Sequence, residues 1–270
     1  MIYIALILGL VEGLTEFLPV SSTGHLIVVG NLLHFNDERS KVFEIVIQFA
    51  AILAVCWEYR EKLKAVTLGV IKKEAGAQQF ALNIMIAFAP LAVLGLLIGS
   101  KIKKYLFAPI PVTIAFIVGG LIILWAEKRN HKVTIERVED LKWQDALKMG
   151  CAQALALVPG TSRSGATIIG GLFFGLSRKA ATEFSFFLAI PTLFAATIYE
   201  VIKHHDLFNA NDFEMFVVGS VASFISAFFA VKALLRYISK NDFTIFAWYR
   251  IAFGILFLAA SYFNIINWNN

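Results

Sequence analysis

Leu18-Pro19-Val20-Ser21-Ser22-Thr23-Gly24-His25 and Val158-Pro159-Gly160-Thr161-Ser162-Arg163-Ser164-Gly165 are two short polar loops set inside apolar sequence. The runs 2 to 18 and 25 to 33 flank the first loop, and 149 to 158 and 166 to 176 flank the second. A helix that crosses a bilayer needs roughly 17–25 mostly apolar residues at about 1.5 Å each, so the shorter pieces reach only about half-way. Two half-helices joined by a Pro/Ser/Gly loop read as a re-entrant hairpin. Such a loop is tolerated at membrane depth only where protein or a water-filled cavity satisfies its backbone.

Outward from the loops, six stretches are long and apolar enough to span: 42 to 57, 80 to 98, 110 to 126, 184 to 201, 213 to 235 and 244 to 266. Aligning Gly24 with Gly165, an offset of 141, sets one loop on the other and Glu12 opposite Gln153. Each half then holds one re-entrant pair followed by three crossings. Three is odd, so the second half starts on the opposite side. The expected fold is an all-α integral membrane protein, one membrane domain over 1–270, with inverted-topology repeats at 1–126 and 146–266 whose broken helices meet near the midplane.

Composition agrees: 59% of the 270 residues are hydrophobic, only 16% are charged and the mean hydropathy is +0.73. Soluble domains average about 45–50% apolar and about 25% charged, so a soluble or disordered chain is excluded. Two cysteines, Cys56 and Cys151, supply neither a disulfide framework nor a zinc site. A cleaved signal peptide is not expected, because the apolar run begins at Ile2 with no basic segment before it. The net charge of +5 comes from Lys and Arg scattered through connections, which argues against nucleic acid as a partner. Fifteen of these residues fall in connections that would be cytoplasmic if both termini face outward, and six in the outer ones, which favours that orientation.

Glu12 and Glu16 lie four apart, so they share a helix face within an otherwise uncharged run. Ionisable groups at such depth face cavities and mark function. Ser21, Ser22, Thr23 and Gly24 follow Pro19 where a half-helix begins; Thr161, Ser162, Arg163, Ser164 and Gly165 open its counterpart. Two helix N-termini converging beside a guanidinium make a site for an anion, and phosphate fits it. His25, one residue past the first cluster, is a candidate for proton transfer or nucleophilic attack. A diphosphate against two glutamates and one arginine leaves net negative charge, so a hard divalent cation, Mg²⁺ or Ca²⁺, is expected with Glu12 and Glu16 as its ligands. Glu44 and Glu183 read as interfacial, Gln48 as within reach of the pocket, and Arg250 as snorkelling to the inner surface in preference to a structural ion pair.

The run from Val11 to His25, with Glu12, Glu16, Ser21, Ser22, Thr23 and Gly24, resembles the first motif of the undecaprenyl-pyrophosphate phosphatase family, also called the bacitracin-resistance family. Pro159-Gly160-Thr161-Ser162-Arg163-Ser164-Gly165-Ala166-Thr167 is similar to its second motif, and Glu183-Phe184-Ser185-Phe186 and Tyr249-Arg250 extend the likeness along the chain. The resemblance implies a multi-pass protein of the bacterial inner membrane whose site opens to the outer face. It implies hydrolysis of a polyprenyl diphosphate, undecaprenyl diphosphate, to the monophosphate and phosphate, aided by Mg²⁺ or Ca²⁺. It assigns importance to Glu12, Glu16, Ser22 and His25, and to Ser162, Arg163, Ser164 and Thr167. The attacking group stays open between Ser22, His25 and water, with Ser22 activated by His25 favoured; pairing of two copies of the chain also stays open. A lipid transporter or flippase is the rival reading, since inverted repeats with broken helices also build transporters.

Overall fold

A computed structural model describes residues 1–35, 38–129, 132–207 and 212–263. Eleven α-helices account for most of the described residues: α1 Ile2–Thr15, α2 Ser22–Leu32, α3 Glu38–Glu58, α4 Arg60–Ile71, α5 Ala75–Leu106, α6 Pro109–Lys128, α7 Trp143–Ala154, α8 Arg163–Phe173, α9 Arg178–Lys203, α10 Phe213–Ile238 and α11 Thr244–Tyr262. Extended structure among them is limited to one parallel bridge, Ile135 to Leu176. Six helices, α3, α5, α6, α9, α10 and α11, are long and apolar enough to cross a membrane. They coincide with the six stretches read from the sequence, although positions 264 to 266 of the last lie outside the described residues. The chain is an all-α, multi-pass membrane protein.

The local breaks follow from the residues. Pro19 lacks an N–H and disfavours helical backbone at Leu18, so α1 ends at Thr15 and the chain turns before Ser22. Pro109 begins α6, where a missing N–H leaves no intrahelical bond unmade. One helix was not anticipated. The connection 58 to 79 contains α4, which is too short and too charged to register as a span. Leu63 and Val66 lay its apolar side on the core, while Lys62 pairs with Glu139.

The short helix α1 packs on α10, and α7 packs on α5. A methyl group on Gly9 would sit 2.4 Å from the Gly219 carbonyl oxygen, and one on Gly150 2.4 Å from that of Ala87. The crossing of α6 with α11 likewise sets Gly120 under the Ala247 carbonyl and Gly254 beside Ile117. In lipid, where apolar burial gives no preference for helix over tail, such small-residue contacts let backbones approach and gain dispersion energy.

Several charged connections are tied to one another. Glu127 accepts from Arg178 and from the backbone N–H of Phe243 at 2.9 Å, Lys62 meets Glu139, and Lys232 lies 3.5 Å from Glu58. The polar loops are enclosed by the long helices, and the main core, with Phe17, Phe184, Phe186 and Phe187 fully or almost fully buried, packs beneath them.

Candidate active site

Glu16 stands at the end of α1, one helical turn beyond Glu12. Its Oε2 accepts a 2.5 Å hydrogen bond from the Ser22 hydroxyl at the start of α2. Its Oε1 lies 3.3 Å from Nη2 of Arg163, the first residue of α8. One carboxylate therefore joins the two loops across 147 residues of sequence, and the Glu16 and Arg163 side chains are only 6% and 9% exposed. Arg163 is further held by the Ser185 carbonyl, 3.1 Å from Nη1, and lies over the Phe17 ring, while its Nε–H has no partner. A buried guanidinium with one donor free is suited to take a further oxygen ligand.

The second loop is fastened by its own hydroxyls. Ser162 Oγ accepts from the Gly165 N–H at 3.0 Å, an N-cap bond that satisfies one of the orphan donors of α8. Ser164 Oγ donates to the Leu18 carbonyl at 2.6 Å, and Thr167 Oγ1 is 2.6 Å from Ser185 Oγ. Ser21 and Ser162, which correspond at the offset of 141, have φ of 70° and 73°. Non-glycine residues rarely adopt positive φ, at about 1–3 kcal/mol each, so both loops carry comparable strain just before a helix start.

Arg250 is the main correction to the sequence reading. It does not reach the inner surface; it is 1% exposed and lies between the loops. Nε donates to the Phe116 carbonyl (3.3 Å), Nη1 to those of Pro19 (3.2 Å) and Thr161 (2.9 Å), and Nη2 to those of Ala115 and Gly160 (3.0 Å each). A guanidinium has five N–H donors, and all are used: three on the Pro19, Gly160 and Thr161 carbonyls, which irregular loop backbone would otherwise leave unpaired in the membrane, and two on carbonyls of α6. Sequence reasoning gave it the wrong destination because a long side chain near a span end usually snorkels. The signal that could have found it was the need of two buried loops for donors.

Between the loops lies a cavity of about 110 Å³ lined by Glu16, Ser21, Ser22, Thr23, Ser162, Arg163, Gln48 and backbone of 158 to 160. Gln48 thus reaches the pocket. Gly24, Ser164, Gly165 and Thr167 stand behind its wall. Gly24 fits against the Phe116 ring, and the other three give their hydrogen bonds to the loop and helix scaffold. His25 also stands apart from Ser22: Nδ1 donates to the Ser21 carbonyl at 2.7 Å and Nε2 accepts from the Tyr249 hydroxyl at 2.6 Å. The hydroxyl of Ser22 is paired with Glu16 rather than with His25. Ser185 and Tyr249, in stretches noted only for their resemblance, enter as direct partners of Arg163 and His25.

Glu12 is fully buried with neither carboxylate oxygen hydrogen-bonded, and Glu16, Glu44 and Arg163 are its charged neighbours. Two orphaned carboxylate oxygens beside the pocket fit a hard cation such as Mg²⁺ or Ca²⁺. Both Glu16 oxygens already have partners, so Glu12 has the freer capacity. Among the described residues no group of three or more His, Cys, Asp or Glu side chains converges, so phosphate oxygens and water would complete such a shell.

Comparison with known proteins agrees over nearly the whole chain. The family model described as bacitracin resistance protein BacA matches residues 5–256. A protein of Nitrosospira multiformis named undecaprenyl-diphosphatase is 64% identical over 264 residues, covering 98% of this chain and 96% of its own. A namesake from Dechloromonas aromatica is 63% identical over 264 residues with the same coverage. The protein named undecaprenyl-diphosphatase 1 of Chromobacterium violaceum is 60% identical over 270 residues and the full length of both chains. With a polar pocket closed by two interrupted helix pairs and a match of this extent, the chain belongs to the bacitracin resistance protein family.

Proposed function

We propose that this chain hydrolyses undecaprenyl diphosphate to undecaprenyl phosphate and inorganic phosphate, returning the lipid carrier to peptidoglycan synthesis and leaving less diphosphate for bacitracin to bind. The observation that carries the reading is Glu16 joined at once to the Ser22 hydroxyl and to Arg163. A carboxylate in such contact with a serine is a general base on a nucleophile, and a guanidinium beside them stabilises charge on phosphoryl oxygens. Ser22 Oγ attacks the terminal phosphorus as its proton passes to Glu16. The bond from phosphorus to the bridging oxygen breaks, and the lipid monophosphate leaves with that proton. Water, deprotonated by Glu16, then attacks the phosphoserine, which releases phosphate and returns the Ser22 hydroxyl. Arg163 holds the phosphoryl oxygens through both steps, with the N–H groups at the starts of α2 and α8 facing the same charge. Glu12 would hold a divalent cation, Mg²⁺ or Ca²⁺, whose positive charge offsets that of the diphosphate.

An inverted repeat with its basic connections inward would open the site outward. The paired contacts of α1 with α10 and α7 with α5 fit two halves related by a pseudo-two-fold axis in the membrane plane, each with a re-entrant pair. The excess of Lys and Arg in the connections around 58–79 and 127–148 fits a cytoplasmic face of the bacterial plasma membrane, with the termini outside.

Purified protein in detergent, where no two sides exist, should release phosphate from undecaprenyl diphosphate, and Ser22→Ala should not. Rapid acid quench of labelled substrate should trap phosphoserine. A transporter would release nothing; wild-type turnover in Ser22→Ala would remove the serine route.

A further inference from the structure

His25 sits three residues after Ser22, yet its geometry is that of a brace. The Ser21 carbonyl, 2.7 Å from Nδ1, can only accept, so the ring carries its hydrogen on Nδ1. Nε2 then offers a lone pair, filled at 2.6 Å by the Tyr249 hydroxyl from α11. The ring is stacked on Phe253, with centroids 4.2 Å apart and planes 20° apart, and is parallel to Tyr249 within 5°. It is 6% exposed and does not line the cavity. Neither nitrogen is left for the Ser22 hydroxyl, which is on Glu16.

The other loop shows what the brace replaces. There the position of His25 is Ala166, whose backbone N–H reaches the Ser162 carbonyl at 2.9 Å, and the Ser162 side chain caps the helix. Ser21 makes no side-chain cap bond, and its carbonyl is held by the His25 ring. Ser21 has φ 70° and directly precedes Ser22, so whatever holds its carbonyl sets where the Ser22 hydroxyl points.

We propose that Tyr249 is a positioning residue for the reaction: its hydroxyl locks His25 in the Nδ1–H tautomer, and that N–H pins the Ser21 carbonyl so that Ser22 meets Glu16. The inference rests on the phosphatase reading for its consequence but not for its geometry. A hydrogen bond at one ring nitrogen selects the proton on the other, and a small misplacement of a reacting group lowers rate by about 100-fold without new chemistry.

Tautomer and turnover give separate tests. In wild-type protein labelled with ¹⁵N-histidine, the His25 resonances should report Nδ1–H. In Tyr249→Phe, which keeps the ring stack and removes only the hydroxyl, they should shift towards a mixture. That variant should lose about 10-fold in kcat with KM within about two-fold. Asparagine places an N–H near the Nδ1 position and glutamine near the Nε2 position, so His25→Asn should keep activity within about 10-fold of wild type. His25→Gln and His25→Ala should fall about 100-fold or more. An Nε2–H tautomer in the wild-type protein overturns the proposal regardless of activity. So does His25→Asn as inactive as His25→Ala, which would give His25 a direct chemical role, or Tyr249→Phe with wild-type kcat. Absence of phosphate release by the wild-type protein would instead sink the phosphatase reading, while the tautomer measurement still judges the brace.

Discussion

The two polar loops begin alike and are held differently. Each places a serine at positive φ just before a half-helix, Ser21 in one and Ser162 in the other, and each gives backbone carbonyls to Arg250. The second loop is self-sufficient: Ser162 caps α8, Ser164 crosses to Leu18, and Arg163 is anchored by Ser185. The first loop relies on outside groups, with His25 braced by Tyr249 and Ser22 turned to Glu16. The difference lies in the residues that follow: the first loop has His25, whose ring holds the Ser21 carbonyl, where the second has Ala166, and only the Ser162 side chain caps its helix.

The comparison breaks most severely at the residue both loops share. Arg250→Met should leave the Pro19, Gly160 and Thr161 loop carbonyls without donors, at about 1–3 kcal/mol each, a large fraction of a whole protein's stability. Folded protein should fail to accumulate, as read by size exclusion and thermal melting in detergent; a melting point within a few degrees of wild type would mean water serves those carbonyls equally well. Next comes the loop that clamps. Arg163→Lys keeps the charge but loses the planar fork, so turnover should fall about 100- to 1,000-fold in a phosphate-release assay. Near-normal turnover would show that charge alone suffices there.

Gly9→Ala and Gly150→Ala sharpen the comparison of the halves. Each forces a methyl onto a backbone carbonyl, and each should lower stability by about 1–3 kcal/mol or more, whereas Gly76→Ala, with open space around it, should not. Unequal melting shifts for Gly9 and Gly150 would undo their equivalence. Smaller still, Ser162→Ala should lose about 1 kcal/mol with its cap, and Ser21→Ala only a few tenths, because the Ser21 side chain caps nothing. Equal losses would contradict the division between a self-held and a braced loop.

The smallest effect belongs outside the loops, in the contact of α4 with the connection at Glu139. Burial alone would raise the Glu139 carboxyl, but the Lys62 hydrogen bond and the charges of Lys62 and Arg137 hold it below the usual carboxylate range. A depressed pKa contributes stability above the unfolded value and loses it as pH falls through the folded one. Glu139→Gln should therefore lower melting slightly at pH 7, by no more than about 1 kcal/mol for so exposed a pair, and progressively less as pH falls below the usual carboxylate range. Turnover should not change at either loop.

The six spans and the two interrupted helix pairs were legible in the sequence, as was the candidacy of Glu16, Ser22 and Arg163, which the fold brings to one pocket, because hydropathy and the backbone habits of proline, serine and glycine act locally. The sequence also marked which groups were in difficulty: a charge in an apolar run needs a partner wherever it folds. Which partner it finds depends on how the helices pack. Arg250 satisfies five carbonyls instead of reaching for water, and the Ser22 hydroxyl turns to Glu16 and not to His25. α4 forms within what read as a plain connection because its small apolar side finds the core. Spacing along a helix states which residues can share a face, but which hydrogen bonds form also depends on distant groups, such as Arg163 on Glu16 and Tyr249 on His25, that only packing brings near.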